Sequence, residues 1–316
     1  MPLRFTLRQL EYFVAVGEMG SIALAAEKVN VSSPSISAAI SQLEKEFGIP
    51  LFVRQHAQGL SLTQAGRQML DQVRVVLREA NIVLDLAGDI SGEVRGALHI
   101  GCLVTFAQLV LPSLRRRFQA GFPEVRVRQS ELNQAEIFSA LRRAEIDVAL
   151  TYDLQLPADL IFESLLELPP YVIVDVAHPL VGADEVTVAD LADFPMVLLD
   201  LPYSSEYFLS FFAAAGITPN VAERTRDMAV MRSLVANGFG FSIANVPLTS
   251  NQSPDGKPLC YIPMRGAVRP MRMGLLMPTD AEQSSVIRAF VGHCKSDDQA
   301  RAFPGFGPMQ GPTARS

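Results

Sequence analysis

Residues 21–63 constrain the fold of this chain more than any other stretch, because they predict a short helix, a tight turn and a second helix. Ser33 is placed to cap the second helix, and Pro34 stands at its first helical position, where a missing N–H costs nothing. Gly48 suits the left-handed residue that ends it. Between them, apolar residues recur at spacings of four, three and four, which predicts one buried stripe: Ile36, Ile40, Leu43 and Phe47.

The opposite face of this helix carries small, uncharged groups, most of them able to form hydrogen bonds: Ser35, Ser37, Ala38, Ser41 and Gln42. Such a face can lie close against a large flat partner, and the major groove of DNA is the obvious one. The alternative is an ordinary surface helix in a small bundle. The helix alone does not decide between them.

The neighbouring segments supply the rest of a small domain. Thr6 and Ser21 stand where they can cap two preceding helices, and Gly17 and Gly20 are expected to break the first of these. Two short extended runs, 51–54 and 59–62, surround a turn and predict a hairpin, or wing. We therefore assign residues 1–62 to a winged helix-turn-helix.

A long helix is predicted to follow, capped by Thr63 and running from about residue 64 to 88. Its apolar residues repeat every 3.5 residues on average, and a second stripe flanks them seven residues apart: Met69, Val73, Val76, Ala80, Val83 and Ala87, with Leu70, Leu77 and Leu84. We expect this helix to form a homodimer through residues 63–88. The alternative is packing on its own chain.

From Gly96 onward the pattern alternates between strands and helices, including a helix over 106–119. Two rounds of strand, helix and strand indicate two parallel-type sheets and hence two α/β lobes. We assign residues 63–90 to the linker helix and 91–296 to the two-lobed domain, with one lobe from 91–166 and 267–296 and the other from 167–266. Residues 297–316 are rich in proline and glycine and predict a disordered tail.

Composition sets limits on function. The net charge is −6, and the first sixty residues balance five Lys or Arg against five Glu, so a strongly basic DNA footprint is absent. No run reaches the roughly 18 apolar residues of a membrane span. The first residues lack the apolar core of a signal peptide, so we expect a cytoplasmic protein without membrane contact. Neither histidines nor cysteines show metal-ligand spacing, and no cofactor motif is present.

The same N-terminal stretch resembles the LysR-type transcriptional regulators over some sixty residues without a gap. The matching residues are Leu10-Glu-Tyr-Phe-Val-Ala-Val16, Gly20-Ser21, Ala25-Ala26, Pro34-Ser-Ile-Ser37, Ile40, Gln42-Leu-Glu44, Gly48, Leu51-Phe52, Arg54 and Leu62-Thr63-Gln-Ala-Gly66. The remainder agrees more weakly, for example at Phe122-Pro123 and Asp147-Val-Ala-Leu150, so that the resemblance covers about residues 5–295.

This resemblance implies a ligand-responsive regulator of transcription. The family has a winged helix-turn-helix, a dimerising linker helix and an effector domain similar to periplasmic binding proteins, in which a small inducer binds between two lobes. It commonly assembles as a tetramer, and its partner is double-stranded operator DNA, which for a dimer is expected to be pseudo-palindromic.

The expected DNA-binding residues follow from the helix face and the resemblance: Ser33, Pro34, Ser35, Ser37, Ala38, Ser41, Gln42 and Arg54. Ser37 and Arg54 match family positions that hold the phosphate backbone. Many members carry Gln where this chain has Ser33, and often Arg where it has Ala38. Base readout is therefore expected to depend on small groups, on Ala38 against a thymine methyl, or on DNA shape.

Ligands of open α/β sheets bind outside the carboxyl ends of strands. That rule and the resemblance give the following effector-binding candidates: Cys102, Val104, Thr105, Thr151, Tyr152, Asp153, Pro202, Tyr203, Ser204, Ser205, Asp227, Phe241 and Ser242. An acidic Asp153 at a strand exit would suit an amine, an amide or an N-heterocycle. The alternative is that Asp153 caps a turn and never meets ligand.

Three rival functions remain to be weighed. Cys102 as a redox sensor would need a neighbouring base or a resolving cysteine, and none is near in sequence. An α/β enzyme would need a catalytic motif, and Gly-x-Ser-x-Gly, His-Glu-x-x-His and the phosphate loop are absent. A solute-binding protein would be expected to have a signal peptide and no helix-turn-helix. A non-catalytic DNA-binding regulator is favoured.

Overall fold

A computed structural model of the chain describes residues 3–55, 59–91, 94–246, 250–281 and 284–296. The chain divides into two compact units with the boundary between Gly96 and Ala97, except that Arg142–Glu145 group with the first unit. The predicted tail at 297–316 lies outside the described residues.

The first unit contains three short helices, a hairpin and one long helix. The wing is present, one residue later in its first strand than predicted. In chain order the elements are α1 Leu7–Met19, α2 Ile22–Lys28, α3 Ser33–Phe47, β1 Phe52–Gln55, β2 Gly59–Leu62 and α4 Gln64–Ser91.

Side-chain caps fix where these helices begin. The Thr6 hydroxyl accepts from the Gln9 amide in a capping box, and the Ser21 hydroxyl accepts from the amide of Leu24. The predicted cap of α3 was one residue late. Ser32 is the cap, because its backbone is still extended and its hydroxyl accepts from the Ser35 amide, whereas Ser33 is already helical. Pro34 therefore occupies the second helical position rather than the first, where its missing N–H still has no cost.

The core of the first unit joins α1, α3 and the start of α4. Phe13 of α1 and Ile36 and Leu43 of α3 are fully buried, and Leu70 and Val73 of α4 pack with them. Gly17 does not break α1 as predicted. A Cβ at this position would lie 3.1 Å from the Leu70 side chain, so Gly17 provides close packing, and the helix ends at left-handed Gly20.

The long helix α4 has two roles along its length. Its first turns belong to its own unit: the Gly66 amide donates to the Thr63 hydroxyl, and a Cβ on Gly66 would lie 2.1 Å from the Leu51 carbonyl oxygen. Farther along, Val76 is 38% exposed and Val83 is 68% exposed. The side chains of the last predicted stripe residues, from 84 onward, lie outside the described part.

The second unit alternates strands and helices as predicted. In chain order its elements are β3 Gly96–Leu103, α5 Val104–Ala107, α6 Leu111–Gly121, β4 Val125–Leu132, α7 Gln134–Arg142, β5 Val148–Tyr152, β6 Leu160–Leu168, β7 Tyr171–Asp175, β8 Pro195–Leu199, α8 Ser204–Ala214, β9 Asn220–Thr225, α9 Met228–Ala236, β10 Ser242–Ala244, β11 Leu259–Pro263, β12 Met271–Pro278 and α10 Ser285–Lys295.

One long helix predicted over 106–119 is in fact two helices. The first, α5, ends at Ala107, and the amides of Leu109 and Val110 turn back to the Phe106 carbonyl. Pro112 near the start of α6 has no N–H with which to continue the hydrogen-bond ladder. The short helix α5 thus lies directly after β3 and is separate from α6.

The sheets are mixed rather than parallel as predicted. The first lobe is a five-stranded sheet in the order β4-β3-β5-β12-β6, in which β3 and β5 are parallel, whereas β12 runs antiparallel to both β5 and β6. In the second lobe β8 and β9 are parallel, and β7 pairs antiparallel with β10 and β11. The strand-helix-strand rounds supply the parallel pairs. The strands that pass between the lobes supply the antiparallel ones.

Candidate functional site

The outer face of α3 matches the prediction that it is exposed. Pro34, Ser35, Ala38, Ser41 and Gln42 are all exposed. Ser33 and Ser37 are partly exposed. The apolar stripe of the same helix is buried in the core of the first unit. The face is therefore available to a partner, and it carries no charge between Ser33 and Gln42.

Gln42 is the longest of these side chains, and it is already engaged. Its carbonyl oxygen accepts a hydrogen bond of 2.8 Å from the side-chain amide of Gln9, which also belongs to the capping box of α1. The amide nitrogen of Gln42 is left as its outward donor. This contact restricts where that donor can point.

The wing is attached to α3 through Glu44. One carboxylate oxygen of Glu44 accepts from the amide of Leu51 at 2.8 Å and from the amide of Phe52 at 3.2 Å, at the start of β1. Arg54 lies in β1 opposite Leu60 of β2. The Arg54 side chain is outside the described part, so its predicted contact with phosphate stays a prediction.

Two cations of the first unit are used internally. Lys28 donates to Glu18 at 2.6 Å, and Arg74 lies 3.3 Å from the other oxygen of the same carboxylate. Burial would raise the pKa of Glu18, but these two cations hold it below the usual value. These two cations are therefore neutralised within the unit.

A cavity of about 560 Å³ lies between the two lobes of the second unit. The first lobe contributes the start of α5 and the ends of β4 and α7 that face it, and the second lobe contributes residues after β8 and β9. The lining residues are Val104, Thr105, Ala107, Gln108, Glu131, Asn133, Glu136, Leu201, Arg226, Asp227, Met228 and Ala229.

The cavity contains some of the predicted effector residues and not others. Val104, Thr105 and Asp227 line it. The other ten candidates do not line it: Cys102, Thr151, Tyr152, Asp153, Pro202, Tyr203, Ser204, Ser205, Phe241 and Ser242. Sequence reasoning missed Glu131, Asn133 and Glu136. The rule that ligands meet the carboxyl ends of strands, applied to β4, would have found the first two.

Asp153 is the clearest difference from the sequence-based expectation. Its side chain is 2% exposed and lies 2.8 Å from a nitrogen of Arg269 and 2.9 Å from Nε of Arg272. The Arg272 amide donates to its other oxygen at 2.8 Å. Burial would raise the pKa of Asp153, but the hydrogen bonds from Arg272 and Arg269 hold it below the usual value. The idea of an uncompensated charge that attracts an amine therefore loses its basis.

Two other predicted residues, Thr151 and Tyr152, make contacts within the protein. Thr151 is fully buried and donates to the side-chain oxygen of Gln134 at 2.7 Å. The rings of Tyr152 and Phe106 are 4.6 Å apart, edge to face. Tyr207 donates to the Arg269 carbonyl, and the Arg269 guanidinium lies over its ring at 5.7 Å. Each of these contacts is made with another residue of the protein, so we assign these side chains a structural role.

Most of the effector candidates in the second lobe are buried or in contact with other residues of the protein. Ser205 bonds to the Leu201 carbonyl at 3.3 Å, and both Ser204 and Ser205 are buried at the start of α8. Phe241 and Ser242 are fully buried. Tyr203 has a left-handed backbone, with φ of 65°, and its ring is 5.6 Å from that of Phe138. Pro202 beside it is exposed.

The cysteines do not have the environment of a redox sensor. Cys102 and Cys294 are fully buried, and burial raises the pKa of both thiols, that of Cys294 to about 12. Cys260 also has a raised pKa, first through burial and then through Asp175. A reactive thiolate requires a lowered pKa. The redox reading through Cys102 therefore has no support in this geometry.

Two other kinds of site are absent from the described ranges. No group of three or more His, Cys, Asp or Glu side chains is arranged to hold a metal ion. No described helix is both long and apolar enough to cross a membrane.

Comparisons with known proteins cover both units. A family model described as bacterial regulatory helix-turn-helix protein, lysR family, matches residues 7–67. A second, described as LysR substrate binding domain, matches residues 91–299.

Individual relatives agree with the family models. The transcriptional regulator CysB of Haemophilus influenzae is 30% identical over 75% of this chain and 74% of its own length. OxyR of Escherichia coli, a dual regulator, is 28% identical over 75% and 78%. The crystal structure of HinK, a LysR family transcriptional regulator from Pseudomonas aeruginosa, is 32% identical, covers 93% of this chain and 98% of that one, and has a TM-score of 0.62.

Proposed function

The chain belongs to the LysR family of DNA-binding transcriptional regulators, and we propose that its effector site is the cavity between the lobes of the second unit. It is a ligand-responsive regulator, with an N-terminal helix-turn-helix and a two-lobed α/β domain. One observation carries the proposal: the cavity of about 560 Å³ takes its walls from both lobes. A ligand that contacts both lobes favours the arrangement in which both contacts are made.

A cavity-blocking substitution tests this proposal. Ala107 lines the cavity, whereas Ala213 is exposed on α8, so Ala107→Phe and Ala213→Phe form a matched pair. A thermal-shift screen of small amines, heterocycles and carboxylates on the wild type is expected to yield ligands that raise the melting temperature. At a hundredfold excess over its Kd, a ligand stabilises the folded state by about 2.7 kcal/mol.

The expected outcome is that Ala107→Phe abolishes the shift and Ala213→Phe retains it. The same ligand should also alter the footprint of the wild type on operator DNA. A ligand that stabilises Ala107→Phe as much as the wild type would place the effector site elsewhere.

For DNA recognition we propose that α3 enters the major groove with its exposed face, using Ser33, Ser35, Ala38, Ser41 and Gln42. What supports this is the exposure of the face and its small side chains, which allow close approach. Near the start of α3 and at the wing, Pro34, Ser37 and Arg54 are proposed to contact the sugar-phosphate backbone of the DNA. Phosphate contacts set affinity and register, and base contacts set sequence choice.

We propose that α4 forms a homodimer through residues 63–88 and that dimers associate into a tetramer. The exposed apolar residues Val76 and Val83 support the pairing of α4. A dimer with two-fold symmetry presents two copies of α3, so its operator is proposed to be a pseudo-palindrome of double-stranded DNA.

The variant Val83→Glu is expected to weaken this dimer by roughly a hundredfold. It removes apolar burial worth about 1.5 to 3 kcal/mol and brings two like charges together at a symmetric seam. Analytical ultracentrifugation of the full chain measures the effect. Asn81→Glu places the same carboxylate on an exposed position outside the stripe and should leave the dimer intact. Equal dissociation of both variants would contradict pairing through the predicted stripe.

We also propose that the protein performs no catalytic step and acts in the cytoplasm, where operator DNA is found. The residues lining the cavity include no histidine, cysteine, serine or lysine, so the nucleophile and base pairs Ser–His and Cys–His do not occur there. Turnover of any ligand identified in the screen would overturn this part of the proposal.

A further inference from the structure

The cavity between the lobes has an unbalanced charge. It is lined by three carboxylates, Glu131, Glu136 and Asp227, and by one guanidinium, Arg226. In the part of the chain that the structure describes, the hydrogen-bond donors to these carboxylates are neutral. Glu131 accepts from the Gln129 side-chain amide at 2.9 Å. The negative charge that lines the cavity is thus not neutralised by ion pairs of the kind that hold Asp153.

Two of the helix N-termini at the cavity do not offer their amides to an anion. Free backbone amides at a helix N-terminus attract anions. At α9, however, the Asp227 carboxylate accepts from the amides of Ala229 at 2.7 Å and Val230 at 3.2 Å. At α7, the Asn133 side chain accepts from the amide of Glu136, and the Glu136 carboxylate accepts from the amide of Asn133. The N-termini of α7 and α9 are therefore capped by the protein's own side chains, whereas the short helix α5 has no side-chain cap.

A second observation is independent of these charges. Thr105 lines the cavity and is 5% exposed, yet its hydroxyl has no hydrogen-bond partner among the described residues. It lies near the Tyr152 hydroxyl, but without the geometry of a hydrogen bond. A buried hydroxyl without a partner costs free energy, and a ligand group that bonds to it removes that cost.

We propose that the effector is a small organic cation, a protonated amine or a protonated N-heterocycle, held through its charged nitrogen by Glu131, Glu136 and Asp227. The proposal rests on the effector role assigned above to this cavity. Each carboxylate has a second oxygen for which the structure describes no donor within the protein, and a protonated nitrogen supplies such donors. Thr105 takes a further polar group of the ligand.

The rest of the lining fits the same ligand class. Val104, Leu201 and Met228 provide apolar surface for the body of a small molecule. Gln108 offers a neutral amide. A ligand with a negative charge would have Arg226 and the uncapped start of α5 as favourable partners but would meet three like charges, which lowers its affinity relative to a cation of the same shape.

The test uses probes that differ in charge but little in shape. Titration calorimetry of the full chain with benzylamine, benzyl alcohol and benzoate, and with butylamine, butanol and butyrate, compares cation, neutral molecule and anion. We expect the cation of each set to bind roughly tenfold to a hundredfold more tightly than the neutral molecule and the anion least tightly. The preference should decrease with added salt.

Two variants assign the preference to the cavity. Glu131→Gln and Glu136→Gln should each lower cation affinity roughly tenfold and leave affinity for the neutral probe within a factor of two. Glu124→Gln is the matched control, because Glu124 is exposed just before β4, at the end of the strand opposite to Glu131. Unchanged melting temperatures establish that all three variants are folded.

The outcomes separate this inference from the proposed function. No binding of either cation, equal or tighter binding of an anion, or an equal loss in Glu124→Gln overturns the charge assignment. If anions bind, are blocked by Ala107→Phe and alter the operator footprint, the effector role of the cavity stands and only the ligand class is wrong. If cations bind with the expected dependence on Glu131 and Glu136 but never alter the footprint, the ligand class stands and the effector role fails.

Discussion

Replacing Ala38 by glutamate is expected to reduce operator binding a hundredfold or more. Ala38 is exposed at the centre of the neutral face of α3, and a carboxylate there would meet the electronegative edges of bases and the phosphates beside them. Like charges juxtaposed across an interface cost several kcal/mol, and about 2.8 kcal/mol corresponds to a hundredfold. Fluorescence anisotropy with a labelled operator at fixed salt measures the loss.

Two controls make this result specific. Ala38→Ser keeps the residue small and should bind within a few-fold of the wild type. Ala214→Glu introduces the same charge on exposed α8 of the second unit and should have no effect on DNA affinity. If Ala38→Glu binds as well as the wild type, α3 does not present this face to DNA. The neutral face would then be an ordinary solvent-exposed surface.

Asp153→Asn is expected to destabilise the second unit by about 2 kcal/mol at neutral pH. The buried carboxylate receives bonds from Arg269 and from the side chain and backbone of Arg272, and charged hydrogen bonds contribute about 1.5 to 3 kcal/mol. An asparagine keeps the shape but loses the charge. Urea unfolding of the full chain, followed by circular dichroism, measures the change in the free energy of unfolding.

The pH dependence of this loss has a definite sign. The pKa of Asp153 in the folded protein lies below its ordinary value of 3.8. Its contribution to stability is therefore fully present above pH 3.8 and is lost as the pH falls through the lower, folded-state pKa. The difference between wild type and Asp153→Asn should be largest at neutral pH and should shrink towards pH 3.

Asp200→Asn provides the comparison for Asp153. Asp200 lies 3.5 Å from Arg224, with both side chains well exposed, and such surface pairs contribute at most about 1 kcal/mol. A similar loss in both variants, or no loss in Asp153→Asn, would contradict the structural role of the buried carboxylate.

The helix-turn-helix was accessible to sequence reasoning because its signals are local. The apolar stripe of α3, its terminal Gly48 and the hairpin after it all depend on residues close together in the chain, and the structure has each of them. The misplaced cap had a local cause too, since Ser32 and Ser33 are chemically equivalent choices. Only the backbone angles distinguish them, because Ser32 is extended and Ser33 is helical.

The cavity was less accessible because its walls come from segments far apart in sequence. Thr105, Asn133 and Asp227 line one space although more than a hundred residues separate the first from the last. The role of Asp153 was difficult to predict for the same reason. Nothing near it in sequence indicates that Arg269 and Arg272, more than a hundred residues later, neutralise its charge. Arg272 lies in β12, and the antiparallel pairing of β12 with β5 that brings it beside Asp153 was not predicted.

The bond between Glu44 and the start of the wing has a consequence for which DNA sequences this regulator tolerates. One carboxylate oxygen of Glu44, in α3, accepts hydrogen bonds from the amides of Leu51 and Phe52 at the start of the hairpin. These bonds hold α3 and the hairpin at a fixed distance from each other. Each base pair adds about 3.4 Å along DNA. If α3 and the wing both contact DNA as proposed, an operator with one base pair inserted between the two contacts is expected to be accommodated by bending or twisting of the DNA.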